Sequence, residues 1–169
     1  QIFEVWIRTL PNKHAHFALR AAMRELKDLV EGGMTQKEFD LTREFLSKYV
    51  LHFAETTTHR LGYAVDDQFY GLDGSHLAKF RAAMQTMTLA DVNAAIRKHL
   101  RYDHLKIAIV TGEAESLKQA LVANTPSPME YANPKSDAIV AEDKEIAVFP
   151  LQVRAEDGRI VPVEQVFQK

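Results

Sequence analysis

Residues 17–46 read FALRAAMRELKDLVEGGMTQKEFDLTREFL, and this stretch decides the main architecture. From Ala15 to Glu31, the residues Ala15, Leu19, Ala22, Met23, Leu26, Leu29 and Val30 recur at helical spacing, while Arg20, Arg24, Lys27 and Asp28 fill the other side. The pair Gly32-Gly33 supplies the usual helix stop. Thr35 with Glu38 then forms a capping box, and Met34 is placed to staple onto Phe39 across it. The second helix runs on through Phe39, Leu46, Tyr49, Val50 and Phe53.

Working outward, Thr56, Thr57 and Thr58 predict a break or cap, because β-branched residues with free hydroxyls compete for backbone groups. A third helix through Leu61, Ala64, Val65 and Phe69 stops at Gly71. Ser75 caps a fourth carrying Leu77, Phe80 and Met84. Thr88 and Asp91 repeat the capping logic for a fifth carrying Val92, Ile96 and Leu100. Glu113 to Val122 suits a final helix, with Leu117, Ala120 and Leu121 on one face.

Two segments read as strands. QIFEVWIRTL, residues 1–10, alternates Phe3, Val5 and Ile7 with Glu4, Trp6 and Arg8. LKIAIVT, residues 105–111, is a short β-rich apolar run expected to be a buried strand. The body is thus expected to be β, five helices, β, helix. The 6 prolines all lie outside Asn12 to Thr125, so residues 124–169 are expected to form an extended tail. Its apolar stretches, Ile146–Leu151 and Arg159–Phe167, are too apolar for a free linker. With Pro150 and Pro162 in them, they are expected to lie on the body as edge strands or wrapping segments.

The chain has 169 residues, one domain by length, with 46% hydrophobic and 26% charged residues, so a buried core is expected. A net charge of -2 gives no electrostatic case for nucleic acid. Cysteine is absent, which excludes disulfides, thiolate metal sites and a thiol nucleophile. No apolar run is long enough for a membrane span. The start at Gln1 without Met is read as a chain cut from something larger.

The search for chemistry leaves no assigned site residue: catalytic none, metal none, substrate-binding unknown. Among the 7 histidines, His14 and His16 are two apart and share no helix face, and His99 and His104 straddle a helix end. His52-Phe53-Ala54-Glu55-Thr56 approaches a zinc motif but has Thr where a second ligand is needed. Asp66-Asp67 reads as an N-capping or ion-paired spot, and Glu142 to Glu145 as a solvated charge run. Ser47, Ser75, Ser116, Ser127 and Ser136 lack the strand–turn–helix context of a nucleophile. Gly62, inside a helical pattern, is expected to mark close packing. The face bearing Glu4, Trp6 and Arg8 could line a cavity or pack on another layer.

The strings FALRAAMRELKDLVEGGMTQKEFDLTREFL, RLGYAVDDQFYG, MTLADVNAAIRKHL and LKIAIVTGEAESLKQAL, in that order over roughly residues 1–123, resemble the C-terminal half-domain of the insulinase/pitrilysin family of zinc metallopeptidases. The tail stretches EDKEIAVFPL and RIVPVEQVF resemble tails of bacterial members. The resemblance implies an α+β fold, with helices packed on one face of a mostly antiparallel sheet, for residues 1–123, and a tail over 124–169. It implies a non-catalytic half that completes a proteolytic chamber and helps hold peptide substrate. The zinc, with its inverted His-x-x-Glu-His motif, is expected in a catalytic half on the same chain or a separate subunit, and not in this chain. In many members an Arg and a Tyr assist the reaction; by resemblance that pair falls upstream of Gln1, and the role does not transfer to Arg60 and Tyr63. A structural or assembly subunit without peptidase activity is the alternative, and a free-standing helical binding module is a third. A homodimer of the chain is a further expected partner state, and the periplasm is the compartment the resemblance implies.

Overall fold

A computed structural model describes residues 3–166, and every regular element among them is helical. The α-helices are α1 (Ala15–Gly32), α2 (Gln36–Tyr49), α3 (Thr57–Phe69), α4 (His76–Thr86), α5 (Leu89–His99), α6 (Ala114–Val122) and α7 (Asp137–Ile146). Short 3-10 turns precede α1, join α2 to α3 at Val50–Ala54, and punctuate the C-terminal segment at Ala155–Asp157 and Val163–Gln165. The chain divides into two compact units, Glu31–Leu100 and Gln1–Val30 with Arg101–Lys169.

Local chemistry accounts for the helix boundaries. In the unit Glu31–Leu100, the Thr35 hydroxyl accepts from the Glu38 amide at 3.3 Å, and the Glu38 carboxylate accepts from the Thr35 amide at 2.8 Å. Thr88 and Asp91 repeat the reciprocal box at α5, with 3.2 and 3.0 Å. Thr56 caps α3 and Ser75 caps α4. Gly33, at φ +73, makes the left-handed turn that ends α1. It also lies under the Asn93 side chain, which bridges the Met34 amide at 2.8 Å and the Met34 carbonyl at 3.0 Å. A Cβ on residue 33 would meet the Asn93 amide group at 2.7 to 3.0 Å. Phe39, Val50, Met84 and Ile96 are the buried apolar residues of this unit, and α2 packs on α4.

In the other unit, Phe17 on α1 packs with Ile146 and Ala147 at the end of α7, and Ala21 and Met129 lie against this cluster. Burial of Phe17 and Ile146 contributes roughly 1.5 to 3 kcal/mol each. The second tie between α1 and α7 is polar. Arg24 reaches Glu142 at 2.9 Å and Glu145 at 3.5 Å.

The expected α+β fold with its mostly antiparallel sheet is therefore incorrect, since no strand occurs among the described residues. Residues 3–10 and 105–111 are extended, but no backbone hydrogen bond among the described residues joins either segment to another. Gln1, Ile2 and Phe167, which the strand and tail expectations included, lie outside the described residues. Alternation sets which side chains share a face; a strand also needs a hydrogen-bonded neighbour, and a single extended segment has none. LKIAIVT is not buried: Ile107 and Ile109 are about half exposed and Val110 fully so. The tail differs as well. Asp137–Ile146 is a helix, with Asp137 in its first turn and Lys144 in its last, both favourable to the helix dipole.

Gly62 also departs from expectation. A Cβ there would meet nothing within 4 Å, so close packing does not explain it. Gly62→Ala should stabilise the protein by roughly 0.5 to 1 kcal/mol, because α3 keeps its geometry and loses the glycine's unfolded-state entropy. A urea midpoint that is unchanged or lower would contradict this.

Candidate functional site

The most densely bonded polar group is one that sequence inspection placed on the exposed side of the first helix. Arg20 has 0% exposure. Its guanidinium donates to the Ser127 hydroxyl at 2.9 Å, to the Ala147 carbonyl, to the Asn124 carbonyl at 3.2 Å and to the Asn124 side-chain oxygen at 2.7 Å. Only Nε lacks a partner. None of these acceptors is a carboxylate, so the cation is held by neutral dipoles, and burial lowers its pKa. The arrangement ties α1 to the segment after α6 and to the end of α7.

His16 lies one turn before Arg20, is itself buried, and has no hydrogen-bond partner for Nε2. Burial first, and then the Arg20 charge, push its pKa from 6.5 down to about 4. The imidazole is thus neutral at pH 7. His14 occupies the preceding 3-10 turn and is half-buried, so the two histidines form no common site.

The other candidates are surface groups with local partners. His52 Nδ1 sits 3.6 Å from the Glu55 carboxylate, with both side chains mostly exposed. Thr56, where a motif would need a ligand, has its hydroxyl engaged by the His59 amide at 3.1 Å. Asp66 is exposed while Asp67 is half-buried, as adjacent helical positions require. Asp67 accepts from the His76 amide at 3.2 Å and bonds the His76 ring. That ring hydrogen bond holds the Asp67 carboxyl below the ordinary carboxylate range. Tyr63 meets the His76 ring edge-on at 5.0 Å and Phe53 at 6.4 Å. The pair closes the turn before α4, where the Ser75 hydroxyl accepts from the Ala78 amide at 3.3 Å.

Arg60 lies 3.5 Å from the Thr57 hydroxyl and forms no substrate clamp with Tyr63. His99 ends α5, and His104 is exposed beside Asp103 at 3.7 Å. The run Glu142 to Glu145 is not simply solvated, since Arg24 pairs with two of its members. Glu4, Trp6 and Arg8 are exposed, with Trp6 Nε1 donating to Glu4 at 2.8 Å.

Among the described residues, no group of three or more His, Asp or Glu side chains could hold a metal ion. Among the described residues, no helix is long and apolar enough to cross a membrane. Sequence inspection missed Arg20 and Asn93. Arg20 could have been found from its spacing, three residues after Phe17 and four after His16, which puts it beside an apolar stripe.

No family model matches the chain, and no solved structure matches it. A curated protein of Helicobacter pylori named "Non-peptidase homolog YmxG" is 27% identical over 125 residues, covering 66% of this chain and 29% of that protein. The similarity is to a loosely related peptidase-homologue group. The chain spans under a third of the length of the relative it matches.

Two predictions follow from the buried pair. Replacing Arg20 with Met should cost about 2 to 4 kcal/mol, because the acceptors on Asn124, Ser127 and Ala147 lose their donor; a urea midpoint unchanged from wild type would refute the clamp. For His16, the unfolded chain takes a proton near 6.5 and the folded chain only near 4. Stability should therefore fall as pH drops through that window and level off below it, by roughly 3 kcal/mol in all. His16→Phe should flatten that part of the curve, and an imidazole titrating near its ordinary value by NMR would contradict the assignment.

Proposed function

We propose that this chain is a non-catalytic peptidase-like segment that completes the chamber of a zinc metallopeptidase and helps hold an extended peptide substrate. The observation that carries the reading is the similarity to a relative named as a non-peptidase homologue. The geometry supports the inactive part of it. The nearest approach to a metal motif, His52 to Thr56, is a solvent-exposed helix junction whose last hydroxyl is used as a cap. The zinc and its ligands would then belong to a catalytic half elsewhere. A structural or assembly role without peptidase activity is the second reading, and the relative's name favours it equally.

Calorimetric titration of the purified chain with zinc, alongside cleavage assays on a pool of fluorogenic peptides, tests this. The expected outcome is no stoichiometric zinc uptake and no chelator-sensitive cleavage. One tightly bound zinc per chain, or cleavage lost with a chelator and restored by zinc, would overturn it. Binding of the uncleaved peptides, read by fluorescence anisotropy, separates the two readings: the chamber role requires it and the purely structural role does not.

A further inference from the structure

We propose that residues 3–9 are a homotypic docking surface, joining two copies of this chain as an antiparallel ribbon whose two-fold axis passes through Trp6. The segment is extended and exposed throughout, with Phe3 55%, Val5 52%, Trp6 74% and Ile7 45% accessible. No backbone hydrogen bond among the described residues ties it to another segment. Such a row of unpaired N–H and C=O groups is a template for another strand. The Trp6–Glu4 hydrogen bond of 2.8 Å places these two side chains on one face of the extended segment.

The occupant follows from charge complementarity. Turning the segment about Trp6 sets Glu4 against Arg8 of the second copy and Arg8 against its Glu4, with the two Trp6 rings stacked between the ion pairs. On the opposite face, Val5 falls against Ile7 and Phe3 against Thr9. Every cross-strand pair is then opposite in charge, aromatic, or built around a β-branched side chain, and these are the pairings that stabilise antiparallel ribbons. The same operation on the other free extended segment, about Ala108, puts Lys106 against Val110 and yields no ion pair. Of these two segments, only residues 3–9 have the self-complementary register. A ribbon of this length is marginal by itself, so the dimer should be weak and depend on the two ion pairs.

Charge reversal on the full chain tests this by sedimentation velocity across a concentration series. The wild-type chain should dimerise. Glu4→Arg makes that face wholly basic and Arg8→Glu makes it wholly acidic, so each variant alone should dimerise roughly tenfold or more weakly. An equimolar mixture of the two should recover association, because every pair is again of opposite sign. A wild-type chain that stays monomeric throughout would overturn the proposal, as would a dimer indifferent to either reversal, or a mixture that fails to recover.

Discussion

A single buried cation organises the unit built from Gln1–Val30 and Arg101–Lys169. Arg20 is fully enclosed and bonded to acceptors on Asn124, Ser127 and Ala147, which are more than a hundred residues away in sequence. Enclosing a charge is costly unless its donors are satisfied, and here only Nε is left without a partner. The apolar packing of Phe17 against Ile146 and Ala147 lies beside this cation, and the neutral state of His16 follows from the same burial and charge. Once Arg20 is inside, the segment after α6 has to run where its carbonyls meet the guanidinium.

The unit Glu31–Leu100 is held differently. Reciprocal hydroxyl–carboxylate caps start α2 and α5, single hydroxyl caps start α3 and α4, and Gly33 turns beneath Asn93. Only a few of its apolar residues are buried, while Leu41, Phe45, Leu61, Val65 and Phe69 stay more than half exposed. Phe45, Tyr49, Phe53, Tyr63 and His76 form a row of successive ring contacts 5.0 to 6.4 Å apart. These rings organise the junction of α2 and α3 without enclosing a cavity of catalytic groups.

A chain with this arrangement has polar side chains engaged in closing turns and tying segments together. Asp67 secures the start of α4, Thr56 the start of α3, and Arg24 the flank of α7. Among the described residues these groups are dispersed along the chain, each engaged with its own partner.

Helix starts and stops were legible in the sequence because capping is local: Thr35 with Glu38, Thr88 with Asp91, Ser75 and the left-handed Gly33 all act within a few residues. The helix α7 was also within reach, since Ile139, Val140, Ile146 and Ala147 recur at helical spacing between Pro134 and Pro150; reading the prolines as marks of an extended tail obscured it. The candidate groups His52, Glu55 and Asp67 could be read as ordinary polar residues from spacing alone. Alternation in residues 3–7 and the β-rich apolar run at 105–111 identified extended backbone, but whether an extended segment becomes a strand depends on a neighbour, and pairing is a long-range fact. The same holds for Arg20: a helical wheel shows a charged residue beside an apolar stripe, and only the fold brings Asn124, Ser127 and Ala147 around it. The sequence alone determined the capped helix starts of residues 35–99; tertiary structure decided which extended segments stay unpaired and which charge is buried, because both depend on atoms far apart along the chain.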